Sequence, residues 1–115
     1  MISLLARFSV DEIQDLSDMD LRIAIAKEYR RYDEIYVHPS GAIEGNRDGV
    51  FTMRPSLVPD WPNDLTAVAG LENDLQEDGF WTEYLKQLEA IGCDKFFSPR
   101  KRCEAVLATV RAAKN

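Results

Sequence analysis

The chain has 115 residues, 45% hydrophobic and 30% charged, which bounds it to one domain, 1–115, with a modest core. No apolar run approaches the roughly 20 residues of a membrane span, and Met1-Ile-Ser-Leu-Leu-Ala6 lacks the basic flank of a signal peptide. A net charge of −6 argues against direct nucleic-acid binding and fits either basic protein partners or solubility alone.

Cys93 and Cys103 are the only cysteines and read as reduced thiols of a cytoplasmic protein. With one histidine they cannot build a four-ligand zinc site without carboxylates, so neither metal nor cofactor is expected. The charge is uneven. From Phe96 onward five basic residues face Glu104 alone, a balance of +4 that leaves −10 for the rest. Between Pro55 and Leu85 there is no Lys or Arg.

Residues 1–8 are expected to be poorly ordered. Ser9-Val-Asp-Glu12 has the form of a capping box and predicts a short helix to about Leu16. Ser17-Asp-Met-Asp20 is a second start signal, opening a helix that carries Leu21, Ala24, Ile25 and Tyr29 on one face and ends near Tyr32. The two helices read as separate or as one bent helix. Glu34-Ile-Tyr-Val-His38 has strand character and stops at Pro39. Pro39-Ser-Gly41 and Gly45-Asn-Arg-Asp-Gly49 read as turns, with a brief strand at 42–44 between them. Gly49-Val-Phe-Thr-Met53 alternates as a second strand, so a small antiparallel meander is expected within residues 34–54.

The stretch from Val58 to Leu75 reads as the organiser. Pro59 and Pro62 keep the approach extended, and the helix starts between Asp60 and Asp64. Its buried stripe is Leu65, Val68 and Leu75, with Ala69 and Leu71 on the flanks. Glu77-Asp-Gly79 is a polar break in which Asp78 serves as the next N-cap. Trp81, Tyr84, Leu85 and Leu88 then recur at helical spacing until Gly92 stops the helix. Cys93 to Phe97 reads as a loop. Ser98-Pro99 opens the last helix, with Cys103, Val106, Leu107 and Val110 inward. Arg100 to Arg102 in its first turn oppose the helix dipole, so partners for them are expected inside or outside the chain. The fold class is therefore α+β: a small helix-rich layered domain, its short antiparallel sheet flanked by four or five helices, three of them near 63–76, 80–91 and 98–113.

Three segments carry a resemblance. They are Leu21-Arg-Ile-Ala-Ile-Ala26, Val58-Pro-Asp-Trp-Pro-Asn-Asp-Leu65 and Ser98-Pro-Arg-Lys-Arg-Cys-Glu-Ala-Val-Leu107. In order and spacing they resemble the phage ABA sandwich domain family, small phage and prophage proteins, from about Ser17 to Lys114. Trp61 stands where the family tends to have Tyr, Lys101 where it has Gln and Cys103 where it has Ala. Tyr29-Arg-Arg-Tyr32 replaces its Gly-Trp. The resemblance implies a layered α/β/α-type fold and a phage setting, and it brings no catalytic residues.

No phosphate-loop, dinucleotide, nucleophile-elbow or zinc-protease signature is present. Glu72 falls on a buried stripe and is expected at the rim or paired with an arginine. His38 has no orienting partner nearby in sequence. Two groups are candidates for partner contact. The first is acidic: Asp60, Asp64, Asp74, Glu77, Asp78 and Glu83, whose carboxylates have few local partners and can imitate nucleic-acid phosphates. The second is Tyr29, Tyr32 and Tyr36 among arginines, a mixture that recurs at interfaces and equally at a helix-to-strand corner. The expected function is a phage-encoded, non-enzymatic inhibitor of a host defence system such as CRISPR–Cas, binding a host nuclease or Cas subunit through its basic surface. The alternatives are a self-associating structural or housekeeping protein, for instance a homodimer, and then a small nucleotide-binding protein or enzyme.

Overall fold

A computed structural model describes residues 12–40, 43–47, 56–92 and 98–114. The expected strand at 49–53, the loop at 93–97, the box residue Ser9 and the tail at 1–8 lie outside them. The elements run α1 (Asp18–Glu28), β1 (Tyr32–Val37), β2 (Ile43–Arg47), β3 (Ser56–Leu57), a 3-10 turn (Trp61–Asn63), α2 (Leu65–Glu77), α3 (Trp81–Gly92) and α4 (Pro99–Lys114). A helical turn at residues 12–14 precedes α1 and is separate from it. The result is the helix-rich α+β domain that the patterning predicts.

The caps explain where the helices begin. Ser17 accepts from the Asp20 amide at 3.0 Å and opens α1. Asp64 accepts from the Thr66 and Ala67 amides at 2.9 and 3.2 Å and opens α2. Ser98 accepts from the Lys101 amide at 3.2 Å, with Pro99 as the first helical residue of α4. Asp78 does not cap α3. It closes α2, because Phe80 N–H donates to Leu75 O and Gly79 N–H to Gln76 O, with Gly79 left-handed at φ 83°. That is a Schellman motif, which needs the glycine at this place. A polar break in a sequence does not say whether it ends one helix or starts the next.

Three expectations about the first helix and the sheet are corrected. α1 ends at Glu28 rather than near Tyr32, and Tyr32 already begins β1. Arg31, at φ 59°, makes the bend in between. Gly45, Asn46 and Arg47, expected in a turn, are in β2, and β3 lies beyond residue 54. The sheet is an antiparallel meander in the order β1-β2-β3. Glu44 pairs with both Tyr36 and Leu57, which puts these three on one face. That face is open: Tyr36 is 45% and Leu57 66% exposed. Ile43, one residue along, points the other way and is fully buried.

The most enclosed element is α4, not the Val58–Leu75 stretch. Cys103 through Val110 are buried all round, and α1, α2, α3 and the 3-10 turn all pack on this helix. Ala105 and Ala108 let those neighbours approach closely. The stripes of the other helices are rotated slightly from expectation. Leu65 and Leu85 are 55% and 49% exposed, whereas Leu71 and Ile91 are buried. Truncating a fully buried core residue such as Ile25 or Leu107 to Ala would cost about 2–5 kcal/mol.

Arginines fasten the layers. Arg22 of α1 donates through Nε to Pro59 O at 2.9 Å and through Nη2 to Val58 O. Arg100 donates to Asp18 at 2.8 Å and to the carbonyls of Ile13, Gln14 and Leu16, which closes the turn before α1. Arg102 reaches Glu72 at 3.2 Å, and Tyr84 Oη donates to the other oxygen of Glu72 at 2.8 Å. Glu72 is thus paired with an arginine as the sequence suggests. Both arginines of the first turn of α4 find partners inside the chain.

Candidate functional site

The C-terminal end of α1 meets the α2–α3 corner and the end of α4. Tyr29, the C-cap of α1, donates its hydroxyl to Asp78 Oδ2 at 2.6 Å. Arg30 donates to Asp74 Oδ2 at 2.7 Å. Asp74 and Asp78 are four residues apart, so they share a face of α2 and meet consecutive residues of the α1 terminus. Partial burial raises the Tyr29 phenol above its usual range, and the hydrogen bond to the Asp78 carboxylate adds to the rise. The phenol therefore stays protonated and acts as a donor. The Arg30 guanidinium also lies 6.0 Å from the centre of the Tyr29 ring.

On the other side, Glu28 accepts from Arg111 Nε and Nη2, each at 3.0 Å, and lies 3.9 Å from Lys114 Nζ. Between these two sets of contacts runs an open groove of about 620 Å³. Phe80, Val110 and Ala113 supply its apolar part, while Asp78, Arg31 and Lys114 stand around it. Arg31 carries a left-handed backbone that costs a non-glycine residue about 1 kcal/mol or more.

The two predicted groups of contact residues are brought together only in part. Tyr29, Asp74 and Asp78 share this corner. Glu77 is exposed beside Asp78 and has no partner among the described residues. Asp60 and Asp64 lie at the opposite end of α2, about 20 Å away along its axis. Glu83, on α3, accepts from Gln87 at 2.9 Å. Tyr32 is 6% exposed and belongs to the core, so it cannot touch a partner at the surface as expected. Tyr36 is exposed, but on the open face of the sheet.

The premise that the acidic residues lack local partners is also corrected. Asp60 accepts from Asn63, Asp64 caps α2, and Asp74, Asp78 and Glu83 are bonded as described. The distant arginine, tyrosine and main-chain donors are invisible to a count of nearby Lys and Arg. The sequence reading also missed Phe80, Ala113 and Lys114. Only the basic end of α4 hinted at them.

His38 lies 3.4 Å from Glu44 on the exposed side of the sheet. Among the described residues no group of three or more His, Cys, Asp or Glu could hold a metal ion. No helix among them is long and apolar enough to cross a membrane. No family model matches the chain, and neither a curated protein nor a solved structure does.

Proposed function

We propose that this protein is a non-enzymatic protein-binding module whose contact surface is the corner where α1 meets the end of α2. The observation that carries the reading is the Tyr29–Asp78 and Arg30–Asp74 pairing, with the exposed carboxylate of Glu77 beside it, which has no partner among the described residues. A tyrosine, an arginine and carboxylates held in place by one another lose little side-chain entropy on binding. The partner of choice is a basic host protein, a nuclease or Cas subunit, whose phosphate-binding surface these carboxylates engage. The phage setting comes from the sequence resemblance, and inhibition of a host defence system in the host cytoplasm is its concrete form.

The test is to express the chain in host cells with an active CRISPR–Cas system and to score phage plating. Plating should rise with the wild-type chain and not with Glu77→Lys, at equal cellular levels of folded protein. No rise across a panel of defence systems would sink the inhibitor reading. A second reading, self-association, is favoured by one observation: Tyr36, Val37 and Leu57 are 45%, 53% and 66% exposed on a three-stranded sheet. Sedimentation of the pure protein decides it, since a monomer at all concentrations excludes that reading.

A further inference from the structure

The groove at the helix ends has lips of opposite sign. Its α1 edge is tied to the α2–α3 corner by Tyr29 and Asp78, and to the end of α4 by Glu28, Arg111 and Lys114. One lip carries Asp78, half used by Tyr29, with Glu77 next to it; Arg30 on that side is engaged by Asp74, and Arg31 lines the groove at the bend between α1 and β1. The other is basic, with Lys114 53% exposed and only 3.9 Å, a loose distance, from its carboxylate. The apolar part between them is made by Phe80, Val110 and Ala113. We infer that this groove takes a peptide segment of the bound protein in which an apolar side chain is flanked by a basic residue on one side and an acidic residue on the other.

The complementarity is specific in sign and order. A basic residue of the segment meets Asp78, and an acidic one meets Lys114. The apolar side chain between them leaves water for the surface of Phe80 and Val110. A uniformly basic segment meets Lys114 with like charge, and a uniformly acidic one meets Asp78 likewise. The inference rests on the protein-binding reading above and adds the kind of segment bound.

The test titrates the labelled protein with three capped tripeptides, acetyl-Lys-Phe-Glu-amide, acetyl-Lys-Phe-Lys-amide and acetyl-Glu-Phe-Glu-amide, and follows backbone amides by NMR. The mixed-charge peptide should shift the amides of Arg31, Phe80 and Lys114 saturably. It should bind about three- to tenfold more tightly than either control, the scale of one or two exposed ion pairs. Ala113→Trp should fill the groove and abolish the shifts. Lys114→Glu, a milder change, should turn the preference toward the Lys-Phe-Lys peptide. The proposal is overturned by an absence of saturable shifts up to about 10 mM peptide, or by equal binding of all three peptides. Relief of host defence that depends on Glu77, without peptide binding, removes the groove and leaves the protein-binding reading standing. Ordered peptide binding without such relief keeps the groove and removes the inhibitor reading.

Discussion

Arg111 grips Glu28 with two parallel hydrogen bonds, Nε and Nη2 each 3.0 Å from a separate carboxylate oxygen. The two residues are 83 positions apart in the chain, and they join the last turn of α1 to the last turn of α4. Hydrogen bonding to Glu28 raises the Arg111 guanidinium above its ordinary range. A planar fork matched to a carboxylate is not reproduced by an ammonium. Arg111→Lys should therefore lose about 1 kcal/mol in a urea melt, and Glu28→Gln a similar amount, since the pair is only partly buried.

One substitution made at two glycines should have opposite effects. Gly70 lies mid-helix in α2, with no heavy atom within 4 Å of an added Cβ. Gly70→Ala should stabilise by about 0.5–1 kcal/mol through helix propensity and a less entropic unfolded chain. Gly79 has equal space but sits at φ 83°. Gly79→Ala should destabilise by about 1 kcal/mol. Parallel denaturant titrations check both signs.

How much of this could be read from the chain depends on the range of the interaction. Caps and stop signals act within four residues: Ser17 and Ser98 are legible as helix starts, and Asp64 is one of three residues of N-cap type, with Asp60 and Asn63, between which the sequence does not choose. The place of Gly45 is not legible, because whether a glycine turns the chain or continues a strand is decided by the neighbouring strand. Leu65 and Leu85 belong to apolar stripes by spacing, yet they face solvent because α4 covers only one side of each helix. Arg22 lies in Leu21–Ala26, and Arg100 and Arg102 lie in Ser98–Leu107, and each bonds across the fold. Arg22 reaches the carbonyls of Val58 and Pro59, Arg100 the turn before α1 and Arg102 the middle of α2, partners that lie too far along the chain to be read from local spacing. The candidate corner was half visible: Asp74 and Asp78 stood out by charge, but Tyr29 as the partner of Asp78 required the fold.

Glu104 is 5% exposed on α4, 3.5 Å from Arg100 Nε. Burial raises its carboxyl above the ordinary range, and Arg100 opposes the rise. A carboxyl raised in the folded state binds more protons folded than unfolded between the two pKa values. Its contribution is thus fully present below the unfolded value, about 4.3, and is lost as pH climbs through the folded one. Glu104→Gln should be at least as stable as the wild type at neutral pH, with the advantage vanishing in acid. Stability measured against pH for both proteins checks this, and a Gln variant that is less stable at pH 7 but not in acid contradicts it.

Cys103 is fully buried, and burial pushes its thiol well above its usual range. A thiol with so little thiolate and no access should react with a disulfide reagent only when the core opens. Native labelling should be slow and should accelerate in step with unfolding in denaturant. Fast native labelling would mean that α4 is frayed or rotated.

Because α1, α2 and α3 all pack on α4, each lacks its main apolar partner until that helix has been made. On the ribosome the first three helices therefore emerge with their inner faces exposed and wait for residues 99–114. Synthesis at roughly 5–20 residues per second leaves them unpaired for seconds, a window open to chaperones and to proteases. The fold should close in a single late step, visible as an abrupt rise in pulling force on the nascent chain only after α4 has cleared the exit tunnel.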